Sequence, residues 1–380
     1  MRAEGNMTMK SMKSRRSICC MAVLGVFLLG ANFTAAQTPS PALLVLEKSD
    51  NSLAIVDPAN LRIVSRVPAG PDPHEIVTSA DGKLAYISNY GGSDGVLNTI
   101  SVVDLAAQKA LPPIHLGALH SAHGLAFAGG KLYFTAETNK IIGRYDPATQ
   151  SVDWVLGTGQ DRTHMVAVNE SLDRIVTSNV GSGTISIIEQ VSPSGGGFGP
   201  PLGSNGPPGS APPAGGPPPR AGPPPGGPRK TWRVTNVPAG HGAEGFDVSP
   251  DGKEIWAANA QDATVTIIDV ASKRVTQTLP ISLKGANRLK FTPDGKRVLI
   301  SGLGAGAGSN LVLLDADTRK EAKQFNLLGG AAGIVIVPDG SRAYVAVSGK
   351  DKVAVVDLKT LEVTGFVSTG RQPDGLAWVP

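Results

Sequence analysis

Short alternating apolar segments recur along the chain, and each closes on an acid. They read S-L-A-I-V-D (52–57), T-I-S-V-V-D (99–104), K-I-I-G-R-Y-D (140–146), T-I-S-I-I-E (184–189), T-V-T-I-I-D (264–269), N-L-V-L-L-D (310–315) and K-V-A-V-V-D (352–357). Each is a strand by length and pattern. The closing acids Asp57, Asp104, Asp146, Glu189, Asp269, Asp315 and Asp357 are separated by 47, 42, 43, 80, 46 and 42 residues. One interval is long and the rest agree, so a period is present and one repeat carries an insertion.

Two further marks keep the same phase. The turns S-A-D-G (79–82), S-P-D-G (249–252), T-P-D-G (292–295) and V-P-D-G (337–340) follow short apolar strands. Asp-Gly between such strands signals a hairpin, because glycine accepts positive φ. The other mark is Y-I-S-N (86–89), V-T-S-N (176–179) and W-A-A-N (256–259), with F-T-A-E (134–137) and Y-V-A-V (344–347) as variants. A period of roughly 40–50 residues with this content predicts an all-β fold, a seven-bladed β-propeller of four-stranded antiparallel blades. R-Q-P-D-G-L-A-W-V-P (371–380) starts a repeat and stops, while P-A-L-L-V-L-E-K (41–48) begins inside one. Pairing of these terminal strands would close the ring and remove its open edges.

The repeat resembles the YVTN family of β-propeller proteins, whose pattern runs P-x-G-V-A-V-S-P-D-G, Y-V-T-N, T-V-S-V-I-D. The resemblance extends over nearly all of residues 37–380, and it implies an exported binding or scaffolding propeller.

Residues 191–230 interrupt the fourth repeat. Gly, Pro, Ser and Ala make up almost all of 193–228, with Phe198 the one aromatic. Such a composition cannot bury enough apolar surface to offset the entropy of ordering, which predicts a disordered loop between a third and a fourth strand. A tolerated surface insertion is the favoured reading over a docking site for proline-recognising partners.

Residues 1–36 read as a signal peptide. Lys10, Lys13, Arg15 and Arg16 form a basic start, Ile18 to Gly30 an apolar run, and Thr34-Ala35-Ala36 a small-residue end. A periplasmic or secreted location follows, by a route left open. Without this segment basic and acidic residues balance at thirty each, so net charge gives no case for a nucleic-acid or membrane partner. Cys19 and Cys20 both lie in the leader, so residues 37–380 can form neither a disulfide nor a thiolate metal site. A monomer is expected, stabilised by core and ring closure.

Chemistry concentrates in two registers. One, placed just before the innermost strand of each blade, holds His74, His123, His164, Glu244, Asn287, Ala332 and Asp374. The other, at the end of each second strand, holds Glu47, Asn89, Glu137, Asn179, Asn259, Gly302 and Val347. Both fall on one face around the central channel. A blade needs none of these polar types to form, which makes His74, His123, His164, Glu244, Asn287 and Asp374 candidate contacts for a small-molecule or protein ligand. Polar lining of a wet channel is the plainer alternative. For the asparagines it is capping of the turn after a strand. Three imidazoles with an open position suit a divalent transition metal, zinc, copper, nickel or iron, with Glu244 as a fourth donor. An enzyme is the second function class. P-H-E (73–75) and A-H-G (122–124) resemble the turns of streptogramin lyases, and propeller lactonases carry metal ligands at the channel mouth. Nitrous-oxide reductase, haem d1 nitrite reductase and amine dehydrogenases contain similar propellers, a likeness of fold alone.

Overall fold

Turns every few residues force this chain into short strands, and the strands assemble in sequence order. The computed structural model describes residues 38–92, 95–192, 230–304 and 308–380. Seven four-stranded antiparallel sheets form, and among the described residues the only helical pieces are three short 3₁₀ turns. Blades are numbered here by their closing acids. Blade 1 combines the two ends of the chain. Its innermost strand, Pro373–Val379, pairs with Ala42–Glu47 through Leu43 opposite Trp378 and Val45 opposite Leu376. The innermost strands of blades 2 to 7 are Pro73–Thr78, Ala122–Ala128, Thr163–Val168, Ala243–Val248, Ala286–Phe291 and Ala331–Ile336. Each touches the innermost strands of both neighbours, and the contacts run unbroken from blade 7 through blade 1 to blade 2.

The core is distributed. Seven apolar clusters lie among the described residues, one at each interface between neighbouring blades. Trp256 of blade 5, for example, packs with Leu289 and Val298 of blade 6. Alternation supplies both faces, because successive side chains of a strand point to opposite sides of the sheet. The Asp-Gly hairpins have the conformation their sequence requires. Gly82, Gly252, Gly295 and Gly340 stand at φ between 67° and 72°.

A bulge in every innermost strand positions the site. Pro73 lies opposite Asn89, but Ile76 lies opposite Ile87, so one residue is extra, and all seven blades repeat this shift. A bulge re-aims the side chains it contains. The first register therefore sits inside the strand, as its second residue, and not before it. The apolar alternation resumes only past the bulge, which makes the strand look two residues shorter in sequence than it is. Hydroxyls of the second strands brace the bulge. Thr135 accepts from Gly124 N at 2.9 Å and donates to His164 O at 2.6 Å, linking blade 3 to blade 4. Ser178 and Ser301 donate in the same way to Glu244 O and Ala332 O.

The residue after the register is glycine in blades 1, 3, 5 and 7, where the next blade comes close. A Cβ on Gly124, Gly245, Gly333 or Gly375 would lie 2.2–2.4 Å from the register carbonyl of the next blade. The other blades carry Glu75, Met165 and Arg288 at this position. The leader read at 1–36 lies outside the described residues, as does 193–229 of the insert. The strands on either side of the insert, Thr184–Val191 and Thr231–Pro238, pair directly, Val191 opposite Thr231. No helix among the described residues is long and apolar enough to cross a membrane.

Candidate ligand and metal site at the channel mouth

The three register histidines meet at the channel axis, as the bulges aim them. His123 stacks on His164 with ring centroids 3.7 Å apart and 29° between planes. His74 follows at 5.0 Å from His123, and Tyr90 packs on both, 4.9 Å from His74 and 5.2 Å from His123. His123 and His164 are each only 2 % exposed.

Carboxylates flank the outer members of this stack. Nδ1 of His164 contacts Glu137 Oε1 in a short hydrogen bond. Its Nε2 lies 3.0 Å from Glu244 Oε1, outside hydrogen-bonding alignment. His74 lies between Asp374, 3.5 Å from Nδ1, and Asp72, 3.3 Å from Nε2. Lys48 closes that side at 3.7 Å from Asp72 and 4.0 Å from Asp374. His123 has no such partner, and its buried Nδ1 makes no hydrogen bond.

These surroundings separate the histidines electrostatically. Burial, with the neighbouring His164 and His74 and the cations Arg288 and Lys48, holds His123 well below the ordinary imidazole range, so it is neutral. Burial also opposes charge on His164, but Glu137 and Glu244 outweigh it and raise its pKa. Glu244 resists the effect of its own burial for the reciprocal reason. His164, Arg288 and Arg162 hold it down at about 2. Glu137 is lowered likewise, against burial, by His164, Tyr90 and Arg162. Asp374 goes the other way, raised by burial beyond what His74 and Arg288 offset. Burial and Glu137 push the Tyr90 phenol up, so it keeps its proton and donates a hydrogen bond to Glu137 Oε2 at 2.6 Å.

Deeper by one residue, an ion pair spans the channel. Arg288 of blade 6 donates from Nε to Glu75 Oε1 of blade 2 at 3.0 Å, and from Nη2 to the same oxygen. Its Nη1 donates to Asn287 O at 3.3 Å and Asn287 Oδ1 at 3.2 Å. Asn287 in turn reaches Glu244 Oε1 at 3.5 Å. The first register is therefore gathered into one network, except Ala332, which stays apolar.

The second register divides. Asn89 donates to Ala69 O and accepts from Thr99 and Ser101. Asn179 donates to Thr184 and Ser186, and Asn259 to Thr264 and Thr266. Glu47 accepts from Ser52, Arg66 and Gly370 N. All four point back into their own blade or the loop beside it. Glu137 reaches the site because it does not share their position. Ala136 lies opposite Ala122 as Asn89 lies opposite Pro73, so Glu137 is one residue further on and aligns with Tyr90. The alignment of F-T-A-E with Y-I-S-N is thus corrected by one residue. Lys48 and Glu137, each the first residue past a second strand, and Tyr90, at the matching position inside the longer second strand Leu84–Gly92, face the histidines. Aligning the hydroxyls Ser88, Thr135, Ser178 and Ser301 would have found it. Arg288, Glu75, Asp72 and Arg162 had no repeat signal of their own.

Among the described residues one donor set converges closely enough for an ion. Single donor atoms of His123, Glu137 and His164 lie within 4.8 Å of one another, and all three residues are buried. The sequence set His74, His123, His164 and Glu244 is close by, but His74 faces Asp72 and Asp374, and Glu244 faces the second nitrogen of His164.

No known family profile matches the chain, and no curated protein matches it in sequence. Solved structures do. A functionally unknown protein from Desulfotomaculum acetoxidans superposes with a TM-score of 0.65 at 10% identity, over 89% of this chain and 98% of that one. The likeness is one of fold. A putative 6-phosphogluconolactonase from Bacteroides fragilis gives 0.62 at 16% identity, over 91% and 99%. The dihydro-haem d1 dehydrogenase NirN gives 0.59 at 14% identity, over 88% and 74%.

Proposed function

We propose that this propeller is a binding protein whose channel mouth holds a divalent transition metal through His123, Glu137 and His164. The observation that carries the reading is the convergence of buried donor atoms of His123, Glu137 and His164 within 4.8 Å, with His123 neutral and its Nδ1 without a partner. A buried polar atom left unbonded is costly, and a metal would satisfy it. Two imidazoles and a carboxylate suit zinc, and three protein ligands leave a position for a small-molecule or protein group entering from the channel face. Tyr90 and Arg162 support the far oxygen of Glu137, at 2.6 and 3.6 Å. Coordination requires the stacked rings to splay, since lone pairs in near-parallel planes do not converge on one ion. The resemblance of the repeat to YVTN proteins and the signal-peptide pattern of residues 1–36 support a location outside the cytoplasm, in the periplasm or beyond.

The test is metal content and zinc-dependent melting of protein purified without chelator or affinity metal. The expected result is a rise in melting temperature with zinc that His123→Ala and His164→Ala each remove. An equal rise in the variants would move the metal elsewhere. No rise in the parent would leave the site to an organic ligand.

A second reading, a lyase or lactonase-like enzyme, has one observation of its own. A neutral imidazole, His123, stacks on one whose pKa its flanking carboxylates raise, His164, and a base and an acid working as a pair need their pKa values pushed apart in this way. Turnover of a lactone or cyclic-ester panel that falls in His123→Ala would favour it. No turnover across the panel would return the site to binding alone.

A further inference from the structure

Glu244 was the acid its register offered as a metal ligand, yet its oxygen faces the wrong side of His164 for that role. Nδ1 of His164 looks toward Glu137, and Glu137 is the acid whose oxygen lies with the two histidines. Nε2 looks toward Glu244 at 3.0 Å. One imidazole therefore stands between two carboxylates on different blades, and only one of its nitrogens can serve the ion. We infer that Glu244 is a positioning residue: when the stacked rings splay to coordinate and Nε2 of His164 comes into line with the oxygen 3.0 Å away, Glu244 accepts the Nε2 proton and so fixes the tautomer that presents Nδ1 to a metal shared with His123 and Glu137. The inference rests on the metal reading above.

Three observations support this division of labour. Glu244 is itself held by its surroundings, since Asn287 Nδ2 approaches the same Oε1 at 3.5 Å and its backbone carbonyl accepts from Ser178 Oγ. The bulge sets its direction, because it is the second residue of Ala243–Val248 and lies inside the register shift between Ala243 and Phe246. Gly245, the next residue, lets the blade approach Asn287 O closely enough to hold that direction. A ligating histidine commonly gives its second N–H to a carboxylate, which orients the ring and makes it a better donor, and removal of that partner lowers metal affinity 10–100-fold.

The experiment measures zinc affinity by chelator competition for the parent, Glu244→Ala, Glu244→Gln and His164→Ala. It is combined with long-range ¹H–¹⁵N spectra of the zinc-loaded parent. The expected result is zinc on Nδ1 of His164, with the proton on Nε2. Affinity should fall about 10–100-fold in Glu244→Ala and less in Glu244→Gln, whose amide oxygen still accepts the proton. Zinc on Nε2 in the parent would overturn the assignment, and so would full affinity in Glu244→Ala. Failure of the metal reading looks different: the parent would bind no zinc, or His164→Ala would bind it unchanged. Should Glu244→Ala fail to fold, Glu244→Gln and the parent spectrum still decide.

Discussion

Blades 4 and 7 share a backbone and differ in what it presents to the channel. Both innermost strands carry the same bulge, between Thr163 and Val166 in one and between Ala331 and Ile334 in the other. At the re-aimed position blade 4 places His164 between two carboxylates, and blade 7 places a buried alanine, Ala332. The end of the second strand repeats the contrast, with Asn179 hydrogen-bonded in blade 4 and Val347 packed in blade 7. Blade geometry is thus indifferent to these side chains. Burying charge costs desolvation that apolar residues avoid, so an arc of buried ionic groups is poor evidence of a need for stability and good evidence of a use.

Arg288 offers the strongest way to break this comparison, because it ties the ionic arc across the channel. Arg288→Ala leaves Glu75 without its partner and should cost about 3–5 kcal/mol in denaturant unfolding. Joint replacement of Arg288 by Met and Glu75 by Gln should recover most of it. A double variant as weak as the single one would mean that the ring itself needs the pair.

Within the arc, His164 and His74 should separate. His164→Ala abandons two carboxylates and should cost about 3 kcal/mol. His74→Ala gives up longer contacts at 3.3 and 3.5 Å and should cost about 1 kcal/mol. Equal losses would show that burial alone decides, and not the flanking acids.

The apolar arc has a constraint of its own, steric in kind. Gly333→Ala would set a Cβ 2.2 Å from Asp374 O across the blade 7–blade 1 interface. A loss of about 1–3 kcal/mol is expected from the forced shift. An unchanged melting temperature would show that the blades can slide.

The smallest effects lie in the pH profile. The folded pKa of His164 is raised, so its contribution is full below the unfolded value of roughly 6.5 and is lost as pH rises through the folded one. That of His123 is depressed, so it favours unfolding as pH falls below roughly 6.5. The alkaline slope of stability should flatten in His164→Ala and the acid slope in His123→Ala. Parallel profiles in parent and variants would contradict both assignments.

The sequence by itself determined the architecture. Period, Asp-Gly turns and split termini specify seven closed blades, because strand alternation and hairpin chemistry are local and repeat seven times. It also identified the histidine register, since a side chain the repeat does not require is visible against six other copies. Only the tertiary structure decided which groups meet. The bulge moves the register into the strand. A shift of one residue separates Glu137 from the asparagines it resembled. Closure of the ring brings Arg288 to Glu75, 213 residues away in sequence. These pairings join different blades, and a repeat pattern carries no information about which side chains face each other across the channel it encloses.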